Sequence, residues 1–145
     1  MTENELKLSK SKTFLQGWLD GRGYFNAIKA MKYAEKYHNG FRSGGDPEFS
    51  HQIWIANYGK TLAISEKDME PLLTLIFLHD LCEDKKISYE EIEDKFGKQI
   101  KDFVKAISKV YFLTGEKKTE ENYYQDLLEH PLIVVAKGID RLHNL

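Results

Sequence analysis

The segment Leu72–Leu78 reads Leu-Leu-Thr-Leu-Ile-Phe-Leu and runs directly into His79-Asp80-Leu81-Cys82-Glu83-Asp84. Ser65 and Asp68, three residues apart, stand before it with the spacing of a capping box, so the run reads as a helix. A helix that is apolar all round belongs in the middle of a fold, and this one is expected to be central and buried. It is far shorter than the ~20 residues needed to cross a membrane.

The remaining periodicity is also helical. Tyr24, Ile28, Met31, Ala34 and Tyr37 recur at three and four, which predicts a helix over 24–38 that Gly40 ends. Three glycines, Asp46 and Pro47 make 39–47 a loop able to wrap closely around something. A helix over 48–58 follows. Ser88 and Glu91 open another, interrupted near Gly97, whose continuation aligns Ile100, Phe103, Val104 and Ile107 on one face. Thr119 caps a short helix over 122–129, and Pro131 suits the first turn of a last helix over 132–145. No alternating stretch argues for a strand. The expected fold is all-α, with six or seven helices in one domain over 1–145, its polar opening 1–12 free to be mobile.

At 41% hydrophobic and 30% charged residues, with 3 Pro and 10 Gly, the chain has the composition of a globular protein rather than a disordered one. Its 21 basic and 23 acidic residues give a formal charge of −2, which leaves no broad positive field for nucleic acid or anionic lipid. Neither is expected as a partner, and any anionic ligand has to be held locally. The single cysteine, Cys82, forms no internal disulfide, and no apolar signal-peptide core opens the chain, so a cytoplasmic location is expected.

Acidic and imidazole groups stand where a core is expected. His79 and Asp80 follow the apolar run, and an unpaired buried carboxylate costs several kcal/mol unless a cation reverses the sign of that cost. A helix end emerging into solvent would account for them equally. Asp140 shares a stripe of the last helix with Ile133 and Ala136, so it reads as inward-facing; an ion pair with Arg141 or Lys137 is the plain alternative, although neither is expected on its face. His143 and Asn144 can reach the same side. His38 and His51 could each be a satisfied core histidine or a ligand. Two His with two Asp suit a first-row divalent ion better than calcium, whereas Cys82 reads as a small buried residue.

These segments, in this order and spacing, resemble the HD-domain phosphohydrolases, most closely the hydrolase domain of RelA/SpoT-type alarmone enzymes and their small single-domain relatives. The likeness is carried by Tyr33-Ala34, His38-Asn39-Gly40, Arg42 through Pro47 to His51, His79-Asp80 with Glu83-Asp84, Glu91-Ile92, Phe96-Gly97, Ser108-Lys109, and Lys137 through Asn144. It implies an HD-domain helical bundle around a metal, Mn2+ in the closest relatives, held by His51, His79, Asp80 and Asp140. His38 would pack beside the site without touching the ion. The resemblance also implies that Glu83 and Asp84 handle the attacking water, that Arg42 contacts a nucleotide base and that Asn144 contacts its sugar or phosphate. Ser43, Lys109, Lys137 and Arg141 complete the expected substrate contacts.

The activity so implied is metal-dependent removal of the 3′-pyrophosphate from guanosine tetra- or pentaphosphate, a small nucleotide being the partner. Alternatives are a phosphatase of another nucleotide, such as a nicotinamide dinucleotide phosphate or a nucleoside monophosphate, and an inactive nucleotide-binding module. Two departures bear on the substrate: Ser43 stands where relatives carry lysine, and Glu48 where they carry an aromatic residue. Both are expected to withdraw positive potential from the pocket. The relatives also continue their helix past the position of Leu145, so part of the family domain is expected to be missing here.

Overall fold

The helical signals build an all-α architecture, described by a computed structural model over residues 1–110 and 116–144. Among the described residues there are nine helices and no strand, with two isolated bridges, Phe41 to Pro47 and Val110 to Lys117. The helices are α1 (Glu3–Arg22), α2 (Phe25–Tyr37), α3 (Phe49–Gly59), α4 (Glu66–Leu78), α5 (Leu81–Asp84), α6 (Tyr89–Phe96), α7 (Lys98–Ile107), α8 (Glu120–Leu127) and α9 (Pro131–His143).

The apolar run is α4, and Leu72 through Leu78 are all fully buried. The helix packs against α2, α3, α7 and α9. Each buried Leu, Ile or Phe along it contributes on the order of 1.5–3 kcal/mol relative to an exposed one. Its second turn also caps a neighbour: the Glu70 carboxylate accepts the N–H groups of Asn26 and Ala27 at 3.0 and 3.3 Å, two amides that α2 cannot satisfy itself. Where α3 lies on α4, a Cβ on Gly59 would stand 3.0 Å from Ile76 Cδ1, so glycine permits this approach.

Several expectations change. Residues 3–12 are not a loose opening but the first half of α1, started by a capping box in which Thr2 Oγ1 accepts from the Glu5 N–H and Glu5 Oε2 accepts from the Thr2 N–H. Only Leu15 and Leu19 of this helix are buried, so it carries almost no apolar stripe to detect. Ser65 does cap α4 by position, yet its hydroxyl donates to the Asp68 carboxylate at 2.9 Å instead of accepting from the backbone. The cap expected at Ser88 forms, with its hydroxyl accepting from the Glu91 N–H. The cap expected at Thr119 forms as well, and α8 starts two residues earlier than its periodicity suggested. Gly97, at φ 99°, separates α6 from α7 as two helices.

Candidate metal centre and cleft

A break in helical geometry places the acidic groups. α4 ends at Leu78, and Asp80 (φ −113°, ψ 1°) leaves helical geometry before α5 begins. The turn puts His79 and Asp80 at the end of the core helix and Glu83 and Asp84 on a separate short helix. α3 contributes His51, and α9, packed on both α3 and α4, contributes Asp140. One donor atom each from His51, His79 and Asp140 lies within 4.8 Å of the others, and all three residues are buried. Nε2 of His51 is 2.8 Å from Asp140 Oδ1, and Nε2 of His79 is 3.3 Å from the same oxygen.

The tautomer of His79 follows from its second nitrogen. Nδ1 donates to the Ile76 carbonyl at 2.7 Å, which leaves Nε2 as the atom that faces the cluster. Asp80 stands at the edge, with Oδ2 3.9 Å from His79 Nε2. Its Oδ1 is buried without a hydrogen bond, 3.3 Å from His38 Nε2. Two imidazole nitrogens, one inward carboxylate and a second carboxylate with an unsatisfied oxygen fit a first-row divalent cation in both charge and donor type.

The charges are consistent with a compact ionic cluster. Burial alone would push the His79 imidazole down, but the carboxylates of Asp80 and Asp140 lift it to about 9. Burial would raise Asp80, yet the imidazoles of His79 and His38 bring it down to about 2. Asp140 behaves alike: burial is outweighed by hydrogen bonds from His51 and His79 and by the Lys137 charge, which hold it far below the usual range. The Lys137 ammonium lies 3.5 Å from Asp140 Oδ2, three residues away on α9. Contrary to the sequence expectation, Lys137 does share the face of Asp140, as i and i+3 do on any helix.

A cleft of about 370 Å³ opens over this cluster. Of the residues expected at a site, it is lined by Arg42, His51, His79, Asp80, Glu83, Asp84, Lys109, Lys137, Asp140 and Asn144. The glycine loop closes as a tight turn, with the Gly45 N–H donating to the Arg42 carbonyl and the Arg42 N–H to the Asp46 carbonyl, and Gly45 takes φ 90°. This geometry directs Arg42 at α9, where Nη2 donates to Asn144 Oδ1 at 2.8 Å. Ser43 sits exposed on the turn and does not line the cleft, nor does Arg141, which borders a separate apolar groove with Tyr124, Leu127 and Leu128.

Glu83 is held in place: its Oε2 accepts the Lys109 N–H at 3.1 Å and the Ser108 hydroxyl at 3.4 Å, which gives Ser108-Lys109 a role in the site. Asp84 carries no side-chain hydrogen bond among the described residues, and burial, then the charges of Asp80 and Glu83, raise its pKa. Cys82 lies off the cleft, and burial pushes its thiol up to about 12, so it packs as a neutral side chain.

Sequence reasoning misread Glu48 and missed Lys85, Gln52, Trp54 and Tyr58. Glu48 was expected to withdraw positive potential, yet its carboxylate is matched by Lys85 Nζ at 2.7 Å and His38 Nδ1 at 2.8 Å. Lys85, 37 residues along the chain, gives no local signal of this pairing. Gln52, buried beside His51, donates from Nε2 to Asp80 Oδ2 at 3.2 Å. Trp54 and Tyr58 extend a stack of rings behind His51 and His143.

His51, His79 and Asp140 of this all-α domain thus converge at a cleft that four further acids, Glu48, Asp80, Glu83 and Asp84, also line. No family model matches the chain. Over 126 residues it is 32% identical to the guanosine-3′,5′-bis(diphosphate) 3′-pyrophosphohydrolase of Spiroplasma citri, covering 81% of this chain and 16% of that protein. The enzyme of the same name from Aquifex aeolicus is 31% identical over 121 residues, and the bifunctional (p)ppGpp synthase/hydrolase SpoT of Escherichia coli K12 is 31% identical over 124 residues. Each alignment covers 81% of this chain and 17% of the relative. The chain is thus related to RelA/SpoT-type hydrolases and spans about a sixth of the length of these relatives. Among the described residues, no helix is long and apolar enough to cross a membrane.

Proposed function

We propose that this protein is a metal-dependent hydrolase that removes the 3′-pyrophosphate from guanosine tetra- or pentaphosphate, with Mn2+ as its ion and the cytoplasm as its compartment. The observation that carries the reading is the convergence of His51, His79 and Asp140 beside Asp80, in a chain similar to named pyrophosphohydrolases. His51, His79, Asp80 and Asp140 would hold the ion. A divalent ion there supplies Lewis acidity, drawing charge from a phosphoryl oxygen and making a nearby water easier to deprotonate.

The protein's own groups divide the remaining work. Asp84, whose side chain makes no hydrogen bond among the described residues and whose pKa is raised, takes the proton of the attacking water. Glu83, pinned by the Lys109 N–H and the Ser108 hydroxyl, orients that water rather than accepting its proton. The new bond joins the water oxygen to the phosphorus carried by the 3′ oxygen. The bond between that phosphorus and the 3′ oxygen breaks, and the 3′ oxygen takes up the proton that Asp84 received, leaving a guanosine 5′-di- or triphosphate and pyrophosphate. Lys109 and Lys137 face the departing phosphates, and the Arg42 guanidinium, steadied by Asn144, can both stack on a base and donate to it.

A second reading, removal of a single phosphate from another nucleotide, is favoured by how few cations remain free in the cleft. Of the cations that line it, Arg42, Lys109 and Lys137, the last already lies against Asp140. Incubation with Mn2+ and guanosine tetraphosphate, with products resolved by charge, tests the proposal. Pyrophosphate with guanosine diphosphate is expected. Release of orthophosphate only, from mononucleotides or dinucleotide phosphates, would replace it with the second reading. Inertness toward every nucleotide at full metal occupancy would favour a binding module.

A further inference from the structure

His51 and Asp140 each have a partner three residues further along the same helix face, Trp54 on α3 and His143 on α9. These partners interleave where α3 and α9 pack. The His143 ring meets His51 edge to edge, with centroids 4.7 Å apart, planes 24° from parallel and the two Nδ1 atoms facing, and it stacks on Trp54 at 4.5 Å and 23°. Trp54 in turn stacks on Tyr58 at 5.5 Å and 12°. Four rings therefore run from the buried cluster to the surface, where Trp54 and Tyr58 are each 39% exposed. Rings so exposed add little to the core, and their order along the stack points to a local task.

We infer that His143 is a positioning residue for the His51 imidazole, accepting the hydrogen bond of its Nδ1–H and being held flat for that purpose by Trp54. The inference rests on the metal-site reading above. The two Nδ1 atoms are 2.5 Å apart, and two facing ring nitrogens can share only one proton. Nε2 of His51 is turned toward Asp140 and the cluster. An imidazole that offers Nε2 to a cation carries its proton on Nδ1 and needs an acceptor there, which fixes both tautomer and ring angle. Among the described residues, His143 Nδ1 is the only hydrogen-bond partner of His51 Nδ1. Arg42 Nη1 stands 3.5 Å from the same His143 nitrogen, while its Nη2 makes the shorter bond to Asn144. The acceptor thus stays with His51 while Arg42 faces the cleft.

The test is the affinity of the full chain for Mn2+ alone, read from the electron paramagnetic resonance of the free ion, beside the urea midpoint of each variant in chelator. His143→Phe keeps a flat ring but removes the acceptor, and is expected to weaken Mn2+ about 10- to 100-fold, the usual loss when the partner of a ligating histidine is removed. Its metal-free midpoint should stay near that of the unmodified protein. His143→Gln, whose side-chain oxygen can accept, should recover most of the affinity, and Trp54→Leu should lose several-fold. Unchanged affinity in His143→Phe, or no recovery in His143→Gln, would overturn the inference and leave the metal site standing. Absence of Mn2+ binding by the unmodified protein, or undiminished binding by Asp140→Asn, would overturn the metal-site reading and the inference together.

Discussion

Gly59→Ala probes the junction that spaces the donors. The added methyl would lie 3.0 Å from Ile76 Cδ1, 3.5 Å from Leu73 Cδ2 and 3.6 Å from Ile139 Cδ1, so only the first contact is too close. These neighbours belong to α4 and α9, the helices that carry His79 and Asp140. Overfilling a packed core costs about 1–3 kcal/mol. Replacing a helical glycine with alanine recovers roughly 1 kcal/mol of propensity. The net expectation is a loss of about 1 kcal/mol, equivalent to about 2–4 °C in a domain of this size. Ile76→Val removes the offending Cδ1 and alone costs about 0.5–1.5 kcal/mol, largely through the space it leaves. In the double variant the alanine methyl occupies that space, so the two losses should fall short of their sum by about 1 kcal/mol or more. Urea unfolding in chelator at 25 °C measures all four proteins without metal linkage. Additivity within about 0.3–0.5 kcal/mol would refute the reasoning, because it would mean the two groups do not meet.

Three further outcomes are expected. Asp80→Ala and Asp140→Ala should each lose bound metal on elemental analysis, while His38→Ala should retain it with affinity reduced about 10-fold, as for a group that only supports a ligand. Glu83→Gln and Asp84→Asn should keep the ion yet lose about 10²-fold or more in turnover. If either variant loses the ion, that residue is a ligand instead. In the metal-free protein, Asp80, with its pKa at about 2, contributes stability when ionised, and this is lost as pH falls from about 4 toward 2. His79, raised to about 9, contributes as a cation below its unfolded value of about 6.5, and this is lost as pH rises from there through 9. Urea midpoints across pH should therefore decline on both sides of a plateau near 4–6.5. A flat profile between 6.5 and 9 would count against a protonated His79.

The fold was legible wherever residues signal locally. The apolar run of α4, the Ser88 and Thr119 caps and Pro131 at the start of α9 all mark real elements, because capping and periodicity act within a few residues. α1 escaped since a helix with two buried leucines has no stripe, although Thr2 and Glu5 carried a capping-box signal. At the site, the inward placement of Asp140 was readable from its stripe, and the face of Lys137 was misjudged although its spacing of three was available. The balance of Glu48 by Lys85 and the Trp54–His143 stack were not readable. Each depends on helices meeting across long stretches of chain, which no local spacing encodes.

The donors are also far apart in the order of synthesis. His51 and His79 leave the ribosome before Asp140, His143 and Asn144, which all lie on or just after α9. A nascent chain that has not yet made α9 holds His51, His79 and Asp80 without the Asp140 carboxylate that both imidazoles face. On the metal-site reading proposed above, the set of donors is therefore complete only once α9 has docked on α3 and α4.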